Sequence, residues 1–269
     1  VRVEPAREGL VDLCGTGGDG SGSFNISTTA ALVVAGADVP VAKHGNRSAS
    51  SQCGSADVLE ALGVPIDLEP DAVKRSIEDI GFGFLFAPRH HPAMRFVGPS
   101  RKQLKLRTVF NILGPMTNPA GVTLQMIGVF DPAVRETMGR VLRQLGSERV
   151  WVLHGDGGLD EASIEGTTRV FAFDEDGERE FEITPEDAGI GRSPLSSLKG
   201  GDAATNAAIV EKILDGETGP HRDAVLLNAG VALVVSGKAS DVKEGAMIAA
   251  EAIDGGGARR ILEALRKTR

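Results

Sequence analysis

Leu13-Cys14-Gly15-Thr16-Gly17-Gly18-Asp19-Gly20 is a glycine turn set directly behind a short apolar run; Phe24-Asn25-Ile26-Ser27-Thr28-Thr29 and an apolar stretch at 30–35 follow it. A strand, a glycine turn and a helix opening on Ser/Thr is the arrangement in which backbone N–H groups and the helix dipole hold an anion. A second stretch, Val39-Pro40-Val41-Ala42-Lys43-His44-Gly45-Asn46-Arg47, repeats the pattern and leads through residues 48–55 into a helical run at 56–62. One such turn could be a βα loop whose glycines only relieve strain. Two in close succession, the second carrying Lys43 and Arg47, point to a site for a polyphosphate sugar.

Two common phosphate fingerprints do not fit. No Gly-x-x-x-x-Gly-Lys-Ser/Thr follows the first turn, so it is not a P-loop. Gly15, Gly17 and Gly20 satisfy a loose Gly-x-Gly-x-x-Gly, but Ser-Gly-Ser comes next instead of a tightly packed helix. The acid that would hold a dinucleotide ribose, about twenty residues on, would have to be Asp38, in a turn before Pro40.

Strand-like runs at 10–14, 39–42, 82–86, 124–130 and 150–154 alternate with helix-like segments at 27–35, 56–62, 71–80 and 133–145. That alternation predicts an α/β fold with a mostly parallel central sheet flanked by helices on both faces. Arg169-Val170-Phe171-Ala172-Phe173 and Glu180-Phe181-Glu182-Ile183, joined by Asp174-Glu175-Asp176-Gly177, read as a β-hairpin. Residues 203–267 read as helical, broken at 216–220 and 255–257. Residues 92–113 fit two short helices of a small lobe, which divides the chain into an α/β domain (1–91 and 114–269) and a helical remnant (92–113).

At 269 residues, 41% apolar and 25% charged, the chain can bury a substantial core. A net charge of −8 argues against a nucleic-acid surface. Cys14 and Cys53 are the two cysteines and suggest neither a metal site nor a disulfide framework. No signal peptide or long apolar span is visible, so a cytoplasmic location without membrane partners is expected.

Asp156-Gly157-Gly158-Leu159-Asp160-Glu161 lies just beyond the strand ending at His154. Adjacent carboxylates at the end of a parallel strand suit a hard cation. By themselves Asp160 and Glu161 would read as a solvated acidic turn; beside two glycine loops they read as a magnesium site. His90, His154 and His221 carry no assigned role.

Gly-Thr-Gly-Gly-Asp (15–19), Phe-Asn-Ile-Ser-Thr (24–28), Lys-His-Gly-Asn-Arg (43–47), Gly-Ser-Ala-Asp-Val-Leu-Glu-Ala-Leu-Gly (54–63), Arg-Thr-Val-Phe-Asn-Ile-Leu-Gly-Pro (107–115) and Leu-Asp-Glu (159–161) together resemble the anthranilate phosphoribosyltransferases. The likeness continues through Lys199-Gly200-Gly201-Asp202, Asn206-Ala207-Ala208 and Leu226-Leu227-Asn228-Ala229. It implies the nucleoside phosphorylase/phosphoribosyltransferase type of fold, with the active site at the hinge to a small helical domain. Only Val1–Gly9 precede the first strand, so that domain is expected to be truncated.

The implied reaction joins phosphoribosyl pyrophosphate (PRPP) to anthranilate in tryptophan biosynthesis, with Mg2+, two ions, and a homodimer. Gly15, Gly17, Gly18, Asp19, Asn25, Ser27, Thr28, Lys43 and Ser51 are implied PRPP contacts. Gly15, His44, Asn46, His91, Arg101, Gly114 and Pro115 are implied anthranilate contacts. Ser27, Asp160 and Glu161 are the implied metal ligands, and Lys43, Asp160 and Glu161 carry the catalysis. An arginine suits a flat aromatic carboxylate because its planar fork can bond both oxygens. Two rivals stand beside this reading. One is a pyrimidine nucleoside phosphorylase-like enzyme, which would need no acidic pair; the other is a non-enzymatic nucleic-acid-binding relative, which would need a basic surface.

Overall fold

The computed structural model describes residues 1–48, 52–97 and 108–269. Seven strands form one sheet: β1 (Val11–Gly15), β2 (Val41–Gly45), β3 (Phe82–Phe86), β4 (Leu124–Gly128), β5 (Arg149–Gly155), β6 (Thr168–Asp174) and β7 (Gly177–Ile183). Their order is β3-β2-β1-β4-β5-β6-β7. The first five run parallel, while β6 and β7 add an antiparallel hairpin at one edge. The mostly parallel sheet expected from the alternation is therefore present, and the Asp-Gly turn closes the hairpin with Gly177 at φ 105°.

Alternate side chains along β5 feed opposite faces of the sheet. Trp151 and Leu153 join the larger core, under the helices Ile26–Gly36 and Pro220–Val235. Val150 and Val152 pack with Met138 and Leu142 of the helix Arg135–Gln144 on the other face. Helix Pro70–Ile80 covers the β2–β3 end through Val73 and Ile77. Such two-sided burial explains why the parallel strands read as continuous apolar runs.

Strand order reverses between β1 and β4, since one half of the sheet is built outward through β2 and β3 and the other through β5. In an open parallel sheet, ligands bind at that switch point, beyond the carboxyl ends of the strands. β1 ends at Gly15, β4 at Gly128 and β5 at Gly155, and the segment carrying Asp160 and Glu161 lies across all three ends. A Cβ on Gly15 would fall 2.3 Å from Asp160 Oδ2, on Gly128 1.6 Å from the Asp160 carbonyl oxygen, and on Gly155 2.5 Å from the Glu161 carbonyl oxygen. These strand-end glycines make room for the acidic segment.

Three departures from the sequence expectation stand out. β2 begins at Val41, two residues late, because Asp38 turns at φ 63° and the Val39 N–H is held by the Val34 carbonyl. Lys43 and His44 consequently sit on the strand, in register with Phe84 and Leu85, not in a turn. β4 stops at Gly128, short of residue 130. The C-terminal helical region has a third break, between Val235 and Val242, where Gly237 takes φ 79° and Asp241 caps the next helix through the Glu244 N–H. Within 92–113 the described residues form short turns only, Pro92–Phe96 and Phe110–Leu113.

Gly128→Ala is expected to cost about 1–3 kcal/mol, because the atom it would displace is backbone. Gly191→Ala, where an added Cβ meets nothing within 4 Å, should stay within about 0.5 kcal/mol of the parent in urea unfolding. Equal midpoints for the two variants would contradict the packing described.

Candidate active site

The turn after β1 places Gly17 and Gly18 at φ 69° and 79°, a left-handed pair that only glycine adopts without strain. It directs the Gly17 N–H at Asp160 Oδ2, 2.6 Å away. At the start of the following helix, the Ser27 N–H donates to Glu161 Oε1 at 3.1 Å. One acidic segment therefore binds both ends of the anion-type loop. The two carboxylates are not a solvated turn: each is only 8% exposed.

Burial raises both acids. Desolvation, then Glu161 and Asp19, push Asp160 well above the ordinary carboxylate range. Desolvation carries Glu161 to about 7 against the opposing pull of Lys43 and Ser27. Two buried acids beside one buried ammonium make a site short of positive charge. Asn228, fully buried in the helix Pro220–Val235, fixes the segment by gripping its next residue. Its Oδ1 accepts the Ala162 N–H at 2.8 Å and its Nδ2 donates to the Ala162 carbonyl at 3.0 Å.

Lys43 is 2% exposed. Its Nζ donates to the Leu13 carbonyl at 2.5 Å and to Ser27 Oγ at 3.4 Å, so it lies beneath the turn and ties β1 to the start of the helix. Thr28, in the first turn of the same helix, is 1% exposed. Arg47 does not join the anion site, contrary to the weight its position carries in the sequence. It is bound to Asp57 at 2.9 Å and Glu60 at 2.8 Å on the following helix.

Near the end of β2, His44 lies against the other half of the site. Its Nδ1 is 3.1 Å from the Gly114 carbonyl, and since a carbonyl only accepts, Nδ1 carries the proton. Nε2 is then an acceptor, 3.2 Å from His91 Nε2. Desolvation, reinforced by His91, lowers His44 to about 3, and burial lowers His91 too; the pair is a neutral, polar wall. Below it, fully buried Asp12 accepts the His44 N–H at 3.2 Å and Asn118 Nδ2 at 2.7 Å. Asn118 also donates to the Ala42 carbonyl at 2.8 Å.

Pro115 is buried and its carbonyl takes a bond from Gln125 Nε2, whereas nothing lies within 4 Å of a Cβ built on Gly114. Asn46 is exposed, with its Oδ1 accepting the Arg47 N–H at 2.7 Å. The structure thus gathers Gly15, Gly17, Ser27, Lys43, Asp160 and Glu161 in one place and His44, His91 and Gly114 in another. Ser51 and Arg101 lie outside the described residues.

Sequence reasoning gave no role to Asp12, Asn118, Gly128, Gly155 or Asn228. Asp12 and Asn228 had a readable signal, a polar residue within an apolar strand or helix. The glycines had a weaker one, since each merely ends a strand.

Residues 7–259 match the glycosyl transferase family, a/b domain. The chain is 58% identical over 249 residues to the anthranilate phosphoribosyltransferase of Rhodopseudomonas palustris (strain BisA53), covering 92% of this chain and 73% of that protein. It belongs to the anthranilate phosphoribosyltransferase family.

Another relative, from Bradyrhizobium sp. (strain BTAi1 / ATCC BAA-1182), is 55% identical over 265 residues, 98% of this chain and 78% of that one. Among solved structures, the anthranilate phosphoribosyltransferase of Thermus thermophilus superposes with a TM-score of 0.93 at 48% identity, over 99% of this chain and 79% of its own. That of Saccharomyces cerevisiae in complex with PRPP and Mg gives 0.89 at 30% identity, over 99% and 75%. The fold of this anthranilate phosphoribosyltransferase family member is thus of the phosphoribosyltransferase/nucleoside phosphorylase type.

A folded-state pKa raised above its unfolded value favours the fold at low pH and loses that contribution as pH rises through the folded pKa. For Glu161, moved from 4.5 to about 7, the loss spans roughly pH 4.5–7. Without metal, Glu161→Gln should match the parent's stability near pH 4.5 and exceed it by roughly 2–3 kcal/mol at pH 8. A parent more stable than the variant at pH 8 in EDTA would contradict the burial of an uncompensated acid.

Proposed function

We propose that this chain transfers the phosphoribosyl group of PRPP to the amine of anthranilate, giving N-(5-phosphoribosyl)anthranilate and pyrophosphate. The observation that carries this reading is the buried acidic pair bonded to Gly17 and Ser27 across the switch point of the sheet. Membership of the anthranilate phosphoribosyltransferase family supports the same substrates.

The donor set fits Mg2+. Asp160 and Glu161 are hard oxygen donors with raised proton affinity, and Ser27 Oγ lies between Lys43 Nζ and Glu161. Among the described residues no group of three or more His, Cys, Asp or Glu could cage an ion, which agrees with a cation that completes its shell with water and phosphate. Bound there, Mg2+ would neutralise charge on the pyrophosphate. We read two ions at this site, with Ser27, Asp160 and Glu161 as the protein ligands.

The Gly15–Asp19 turn and the first residues of the helix Ile26–Gly36 then hold the pyrophosphate. As the anomeric C–O bond breaks, its electron pair leaves with pyrophosphate and positive charge develops on the ribose ring. The lone pair of the anthranilate amine forms the new C–N bond, and the nitrogen gives up a proton to water or to the departing pyrophosphate. This amine is uncharged at neutral pH, so no nucleophile on the enzyme is needed. The uncharged His44–His91 wall and Gly114–Pro115 suit the aromatic acceptor. The chain's part is to hold the reacting atoms together and to match the charge that separates.

Arg101 is assigned to the anthranilate carboxylate, Ser51 to PRPP, Asn46 to the acceptor side, and 92–113 to the remnant of a small helical domain. We also read the working form as a homodimer in the cytoplasm. No helix among the described residues is long and apolar enough to cross a membrane.

Loss of anthranilate fluorescence is expected only when PRPP and Mg2+ are both present, with no free base released from thymidine and inorganic phosphate. Asp160→Ala with Glu161→Ala should lower kcat/KM by about 100-fold or more while leaving the circular dichroism spectrum unchanged. Phosphorolysis of thymidine by the parent, or full turnover by the double variant, would overturn the reading.

A further inference from the structure

Asn25 occupies the cap position of the helix Ile26–Gly36 and yet does not cap it through its side chain. Asparagine is among the strongest N-cap residues because its oxygen accepts an N–H from the first turn. Here that oxygen is engaged elsewhere. Starting from a group whose polarity is not in question, the Gly201 backbone N–H donates to Asn206 Oδ1 at 2.7 Å. The opposite, donor end of the Asn206 amide must then face Asn25, and Nδ2 meets Asn25 Oδ1 at 2.9 Å. Cys53 Sγ donates to the same oxygen at 3.3 Å. Asn25 Nδ2 is thereby turned to the Cys53 carbonyl, 3.2 Å away.

Asn206 is 1% exposed and well anchored. The segment before it pairs with the start of the loop: Phe24 N–H to the Leu198 carbonyl at 3.0 Å and Gly200 N–H to the Gly22 carbonyl at 3.0 Å. A Cβ on Gly200 would lie 2.5 Å from Asn206 Oδ1 and 2.8 Å from Phe24 Cα. The acceptor oxygen of Asn25 is therefore consumed, and only N–H remains for a ligand. In the helix behind it, Glu161 takes the Ser27 N–H, and no described protein acceptor takes the Thr28 N–H.

We propose that Asn206 is a positioning residue: it orients the Asn25 amide as a donor and keeps it from capping its own helix, so that this helix start stays available to the phosphates. The inference rests on PRPP being the ligand of that turn. It also gives the Lys199-Gly200-Gly201-Asp202 stretch a role, as the support that delivers Asn206 to the site.

Asn206→Asp separates the alternatives, because aspartate still accepts the Gly201 N–H but cannot donate to Asn25 Oδ1. Mg2+-PRPP binding is measured by calorimetry for the parent, Asn206→Asp, Asn25→Ala and the double variant, with both substrate KM values and thermal midpoints. Asn206→Asp is expected to weaken PRPP binding about tenfold or more and to leave the anthranilate KM within about twofold. In the Asn25→Ala background the same change should cost less than about twofold, because no amide is left to misorient. Unchanged PRPP affinity in Asn206→Asp, an undiminished effect in that background, or a parallel rise in both KM values would overturn the proposal. A parent that fails to bind Mg2+-PRPP would instead overturn the functional reading beneath it.

Discussion

Residues 160 and 161 lie directly on the carboxyl ends of three parallel strands, and this is possible only because β1, β4 and β5 each end in glycine. Any side chain at those ends would push the acidic segment off the sheet. Its low seat brings Asp160 Oδ2 within 2.6 Å of the Gly17 N–H and lets Glu161 reach the first turn of the helix Ile26–Gly36. Asn228 secures it from the helix face. The site is a consequence of chain packing at the point where strand order reverses.

That seat also sets the electrostatics. Carboxylates pressed against the sheet are desolvated, so both acids take up protons more readily than in water. The buried Lys43 ammonium answers only part of this charge, and its bonds to Leu13 and Ser27 tie it to the frame of the turn. On the proposed function, a cation arriving with a polyphosphate would supply what the protein lacks. The other half is built on the opposite principle: burial keeps His44 and His91 neutral, so that wall brings no charge of its own.

Much of this was legible in the sequence. The glycine turn at 15–20, the alternation of apolar strands with helices, and the Asp-Gly hairpin are local signals, and local signals survive into the structure. Lys43 reads from the sequence as part of a turn, because Pro40 and Gly45 resemble turn punctuation, whereas register with Phe84 holds it on β2. Arg47 looked like an anion ligand, yet its partners Asp57 and Glu60 lie on the next helix at a spacing the motif does not reveal. Asn228 shows as a polar residue within an apolar helix, and Asn206 only as a letter in a resemblance. What they do depends on contacts 181 and 66 residues away, which no local pattern encodes.

The account stands on the acidic pair being a cation site that works only together with the polyphosphate. The most direct measurement is a calorimetric titration of the parent protein with PRPP, once in Mg2+ and once in EDTA, at the same pH and ionic strength. Tight binding in Mg2+ that weakens by about 100-fold or more in EDTA is the expected result. Equal affinity in the two buffers would mean that Asp160 and Glu161 serve only to brace the turn, and would contradict the account at its base.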